Sequence, residues 1–243
     1  MIRNQKGFAL VMTMALLPAL IAGFFLAWAA VGFIQQDLAL KHACRDQGIT
    51  GQKNAGVLLE RLLKLNPEAE NLKRKQARLK VQIAAALAKG NFPLAASLRS
   101  QLFLVDASRL QLDIKQRGLI HESNRALFTA HNRGRAQIQK NLQATSSVFL
   151  QLKLKNIRGS APQLAVRPDY PDIAPTYSTV SNFSTQQALA HEWHYSAAVG
   201  TPFSYFLPGE FEFKKACAVS LKKELVKWSP QIIRGNFSWK SVW

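Results

Sequence analysis

Hydrophobic positions change their period along the chain, and each change marks an element. From Phe8 to Ile34 there is no charged residue and apolar side chains fall on every face. As a helix this run would be roughly 40 Å long at ~1.5 Å per residue, against a bilayer hydrocarbon core of about 30 Å. Such a helix spans with tilt or projects a turn beyond the bilayer. Pro18 lies inside the run, where membrane helices tolerate it, and Trp28 lies toward the far end, where an indole favours the interface. Residues 35–65 are expected to continue helically in places. Val57, Leu58, Leu59, Leu62, Leu63 and Leu65 form a broad apolar face with Glu60, Arg61 and Lys64 between them. Asn66-Pro67-Glu68 then predicts a new helix, with Asn66 as N-cap, Pro67 at the first position and Glu68 in the first turn. Its stripe is Leu72, Leu79, Ile83 and Leu87, and it ends at Gly90-Asn91. Phe92-Pro93 opens the next helix, with Leu94, Leu98, Leu102, Val105, Leu112 and Leu119 at helical spacings; Gly118 and Gly134 are expected to interrupt or end it. The pair predicts an αα-hairpin. Its wording has a faint tetratricopeptide flavour, but no 34-residue period recurs, which argues against a repeat array.

After Thr145 the texture turns to period two. Residues Phe149 to Lys155 alternate apolar and basic side chains, as in a half-exposed strand. Pro162, Pro168, Pro171 and Pro175 then punctuate a loop-rich stretch. Residues 176–206 suit strands or an irregular coat over the core, and Pro202, Pro208 and Gly209 mark a turn region. Phe211 to Trp228 reads equally as strand or short helix, and the tail from Ile232 to Trp243 as one more strand or an ordered arm. The expected fold class is therefore α+β. Its segments are a basic leader (1–7), a transmembrane helix (8–34), a helical region (35–145) and a smaller β-containing C-terminal region (146–243).

Charge orients the first segment. Arg3, Lys6 and the α-amino group precede the span with no acid among them, which favours a cytoplasmic N-terminus and an exported remainder. Three fates fit the span. A secretory signal would be cut after Ala27-Trp28-Ala29, but its apolar stretch is too long and continues through Val31, Phe33 and Ile34. A plain uncleaved anchor needs nothing further.

The third fate rests on a likeness. Lys6-Gly7 followed by Phe8-Ala9-Leu10-Val11 resembles the prepilin-peptidase site of type IV pilins and pseudopilins, and the Ala-Leu-rich continuation with Leu16-Leu17-Pro18 resembles TadE/TadG-like proteins of tight-adherence (Tad) pili. The likeness covers about residues 3–45. It implies cleavage between Gly7 and Phe8 by a prepilin peptidase, and a single-pass place in a bacterial inner membrane. The C-terminal domain would then be periplasmic or extracellular, and the function that of a minor pilin-like structural or assembly component. Membrane lipid and pilus or envelope assembly proteins would be its partners. The fifth mature residue, usually Glu in that family, is Met12 here, which speaks against a major subunit.

All 14 acids and 30 of the 32 Lys/Arg follow Ile34, so the remainder carries a net +16. Inside a cell such charge would suggest nucleic acid. Outside it, nucleic acid is not the expected partner, and charge alone does not choose among anionic headgroups, acidic glycans, an acidic protein or extracellular DNA. A single-pass envelope protein using this basic domain to bind an anionic component is the alternative function. Lys73, Arg74, Lys75, Arg78 and Lys80 are the candidate anionic-surface contacts, with the solvated face of a helix as the competing reading. Cys44 and Cys217 permit one disulfide if the domain is exported, closing a loop of about 170 residues; two buried thiols are the alternative.

His191-Glu192-Trp193-His194 is the one cluster with a chemical look. Two histidines three apart on a helix would share a metal, but the zincin pattern needs one more residue between them and no third ligand is nominated. No phosphate-cradling glycine loop, nucleophile elbow, CxxC pair or acid pair is present. The sequence therefore nominates no reaction, cofactor or metal site, and an enzyme is not expected.

Overall fold

A computed structural model of the chain describes residues 5–144, 150–180, 188–200, 204, 209–224 and 227–233. Three helices come first: α1 (Gln5–Leu63), α2 (Asn66–Ala88) and α3 (Phe92–Ala144). Six strands follow: β1 (Leu150–Ser160), β2 (Val166–Pro168), β3 (Tyr177–Thr179), β4 (Leu189–Val199), β5 (Glu210–Glu224) and β6 (Lys227–Ile232). The order β1-β4-β5-β6 forms one sheet and β2-β3 a second, small one. β5 and β6 are antiparallel, with Val219 opposite Ile232 and Glu224 opposite Lys227. The class is α+β, helix-rich with a smaller sheet portion in the C-terminal part.

The chain divides into two interleaved compact units. One holds Met1–Cys44, Ala136–Arg158 and Glu192–Lys215; the other holds Arg45–Arg135, Gly159–His191 and Ala216–Trp243.

α1 is one continuous helix rather than helical in places. Among its buried positions, Leu40, Cys44, Gly48, Gly51, Ala55, Leu59 and Leu62 recur in steps of four, four and three, with Gln52 and Gly56 buried beside them. That spacing averages close to the helical 3.6, as a stripe along one face of a helix does. Glycines that resemble breakers in the sequence serve contact instead. A Cβ at Gly51 would collide with Ala130 of α3, so the missing side chain lets the two helices close. Leu59 and Leu62 join Leu127 and Leu221 in the largest described core cluster.

The α2–α3 hairpin forms as the pattern predicts, and Gly90 at φ +70° makes the turn. Ala69 packs with Leu112, while Gln76 bonds Asp106 and Arg109, so the helices run antiparallel. α3 is capped by Asn91, whose Oδ1 accepts from the Leu94 N–H at 3.1 Å. Two expectations are corrected. Asn66 is not the N-cap of α2. Leu65 holds that position without a side-chain cap, while the Asn66 amide donates to the Tyr177 carbonyl and accepts from its N–H, both at 2.9 Å. A primary amide matches a backbone peptide group, so β3 takes the side chain from the helix end. Gly118 and Gly134 neither interrupt nor end α3, which runs to Ala144: a single interior glycine costs only about 1 kcal/mol, and tertiary packing outweighs it. Glu210–Glu224 is strand, which decides the open choice over Phe211 to Trp228; residues 201–203, 205–208 and 234–243 lie outside the described residues.

The proline-rich stretch is pinned to the hairpin by buried polar groups of α3. Arg109, 3% exposed, donates to the Ile173 carbonyl and pairs with Asp172 at 2.8 Å. Asp113 accepts from the Ala174 N–H, and Gln116 donates to the Pro175 carbonyl. This grip holds Ala174 at φ 48°, a left-handed conformation costing a non-glycine residue about 1 kcal/mol. Hydrogen bonding to Arg109 holds the Asp172 carboxyl below its ordinary range.

Candidate functional site

The first half of α1 has almost nothing packed on it. Met14, Leu20, Phe24 and Trp28 are 72%, 71%, 62% and 66% exposed, and the most apolar window of the helix contains no buried residue. The helix is long and apolar enough to cross a membrane. Gly7 and Phe8 lie in its first turns.

Packing begins where charge begins. Phe33 lies 4.8 Å from Phe213 and 6.2 Å from Tyr195 between ring centroids, and Tyr195 stacks on Phe213 at 5.4 Å. One turn further, Asp37 is the first acid of the chain. Its carboxylate takes Lys41 at 2.6 Å, Lys215 at 3.5 Å and the Tyr195 hydroxyl at 3.4 Å. Burial, with Asp37 second, drives the Tyr195 phenol well above its ordinary pKa, so it stays a neutral donor. The ring therefore fastens strands β4 and β5 to the last turn of the apolar stretch.

Beside it opens a cleft of about 360 Å³ lined by Lys155, Asn156, His194, Glu212 and Lys214. Lys155 bonds Glu212 at 2.6 Å and lies 3.4 Å from Glu210; the Glu212 bond raises the lysine pKa and lowers that of its partner. Glu192, 4% exposed, receives His194 at 2.8 Å and Lys214 at 3.3 Å. Four lysines here (41, 155, 214, 215) face four acids (37, 192, 210, 212), so this ring is charge-balanced. An aromatic and polar collar of this kind suits a membrane–water boundary, and nothing in it constitutes a nucleophile–base pair.

His191 to His194 lie in strand β4, not on a helix, so residues three apart face opposite sides and do not converge on one ion. Among the described residues no three His, Cys, Asp or Glu side chains form a metal-ligating group. His191 instead stacks on His131, with centroids 4.6 Å apart and planes 9° from parallel. Room for the pair comes from missing side chains. A Cβ at Gly134 would lie 2.8 Å from His191 Nε2, and one at Gly159 would lie 2.9 Å from His191 Nδ1 and collide with His131. Both ring nitrogens of His191 and Nδ1 of His131 have no hydrogen-bond partner among the described residues. Burial, then the neighbouring His131 and Arg135, drives the His191 pKa down to about 3; burial and Arg135 also lower His131.

The basic run divides. Lys73 lies 3.2 Å over the Tyr170 ring, Arg74 pairs with Glu70, and Lys75, Arg78 and Lys80 are exposed. Cys44 and Cys217 are each disulfide-bonded and neither is a free thiol. The collar and the histidine pair escaped the sequence reading because their members come from distant segments. The first acid after the span, Asp37, is the signal that would have found the collar. No protein-family profile, curated protein or solved structure matches the chain.

Proposed function

We propose that the chain is a membrane-anchored minor pilin- or pseudopilin-like structural or assembly component of a Tad or type IV pilus-related system. The observation that carries this reading is the unbroken α1. Its first half exposes Met14, Leu20, Phe24 and Trp28, while its second half is the core helix of a folded α+β domain. In this reading Phe8–Ile34 sits in the inner membrane, the collar at Phe33, Asp37, Tyr195 and Phe213 rests at its outer boundary, and the rest lies outside the cytoplasm. Leader removal between Gly7 and Phe8 would leave an apolar helix able to exchange lipid for packed neighbouring helices. The role is mechanical: anchorage, then contact with other envelope assembly proteins.

The alternative, an anchored binder of an anionic envelope component, draws on α2 and α3, which together hold 13 Lys/Arg against 5 acids. Trypsin added outside spheroplasts tests the shared topology. The expected result is loss of an epitope at the C-terminus with a short membrane-held fragment retained. Protection of that epitope until the membrane is opened would overturn it.

A further inference from the structure

The outer face of α3 carries a second apolar row that the core does not use. Phe103, Leu110, Ile114 and Phe128 are 73%, 52%, 64% and 59% exposed, whereas Val105, Leu112 and Leu127 of the same helix are 4%, 4% and 0%. Phe103, Ala107, Leu110 and Ile114 follow one another in steps of four, three and four; Phe128 falls in the same phase two heptads after Ile114, with the polar Arg117, His121 and Asn124 at the seam positions between them. That alternation is the seam of a left-handed coiled coil, and it places Leu112 on the opposite, buried side. An exposed apolar row of this length on a folded domain marks a contact surface.

Charge selects what fits it. The hairpin carries 13 basic residues against 5 acids. Arg99 and Arg125 flank the row and are exposed. Of the three acids of α3, Asp113 is buried against Arg117 and Asp106 accepts from Gln76, while Glu122 is exposed. A second copy laid on the row would bring the same positive field. We infer that this row is the docking seam for an amphipathic helix of a partner protein, apolar along one stripe and acidic on its flanks. The partner's stripe would cover Phe103, Leu110, Ile114 and Phe128, and its acids would meet Arg99 and Arg125. This inference goes beyond the anchoring role and does not depend on it.

The test uses the full chain in phosphatidylcholine nanodiscs and two synthetic helices about four heptads long, with leucine along the seam and either glutamate or lysine on both flanks. Binding is read by fluorescence anisotropy at low salt. The glutamate helix is expected to bind at least about tenfold tighter than the lysine helix, because several exposed ion pairs change sign together. Leu110→Asp with Ile114→Asp should weaken it by about tenfold or more at an unchanged melting temperature, since both positions are exposed. Arg99→Glu with Arg125→Glu should remove the preference for the glutamate helix. Failure of both helices to bind, or equal binding of both, would overturn the proposal. So would self-association of the chain, or capture of anionic phosphatidylglycerol vesicles, that is lost in the Leu110/Ile114 variant. Those outcomes would give the row to a second copy or to a membrane surface.

Discussion

Lowering the pH from about 7 to about 4 is expected to destabilise the unit containing His191 by on the order of 3 kcal/mol. The sign follows from proton counts. Unfolded His191 titrates near the ordinary 6.5, while in the fold its pKa is about 3, so between these values the unfolded chain holds a proton that the folded one lacks. Stability is fully present above pH 6.5 and is lost as the pH falls toward 3. His131, also lowered, adds in the same direction. The groups facing the pair are Arg135 and each other's rings, so protonation meets positive charge and no described acid. Thermal melts of the full chain in nanodiscs check this across the pH range. His191→Phe keeps a stacked ring without a titrating nitrogen and should flatten the curve; an unchanged slope would show that the acid sensitivity comes from elsewhere.

Leu20→Arg combined with Phe24→Arg is expected to release the protein from membranes. Each arginine near the centre of a spanning helix costs about 2.5–3.5 kcal/mol, and the two together outweigh what the remaining apolar residues supply. Both positions are exposed, 71% and 62%, so the folded domain loses no packing from either change. The check is the distribution between the pellet and supernatant after alkaline carbonate extraction. Wild type should stay in the pellet and the double variant should leave it. A double variant that stays would show that something other than the apolar helix holds the protein.

The elements the sequence revealed are those whose pattern is local. The apolar run needs no partner to be recognised, and the Gly90 turn is set by its own backbone. The β1 alternation shows because one face of that strand is solvated. What stayed hidden depends on groups far apart in the chain. Arg109, Asp113 and Gln116 read as an ordinary polar face of α3 until the backbone of residues 173–175 is laid against them. Gly134 read as a breaker, because nothing nearby in sequence announces His191 as the neighbour it must admit. Strand, one of the two readings open for residues 176–206, is what β4 forms; it is buried on both faces, so its sequence lacks the alternation that marks a half-exposed strand. The row at Phe103, Leu110 and Ile114 was passed over because α3 has two apolar stripes, and the core accounts for only one.

Of the candidate site, the long apolar helix was legible, while the collar was not. Asp37 stands out only once Lys41, Lys215 and Tyr195 are seen to converge on it. The two cysteines were visible as a permitted pair, and both are disulfide-bonded.

The most direct test of the central claim is the intact mass, with N-terminal sequencing, of the protein recovered from carbonate-washed membranes of its native host. The expected result is a membrane-held chain that begins at Phe8. Protein washed free of the membrane would contradict the anchor. A membrane-held chain still carrying the residues through Gly7 would contradict pilin-type processing and leave α1 an ordinary anchor.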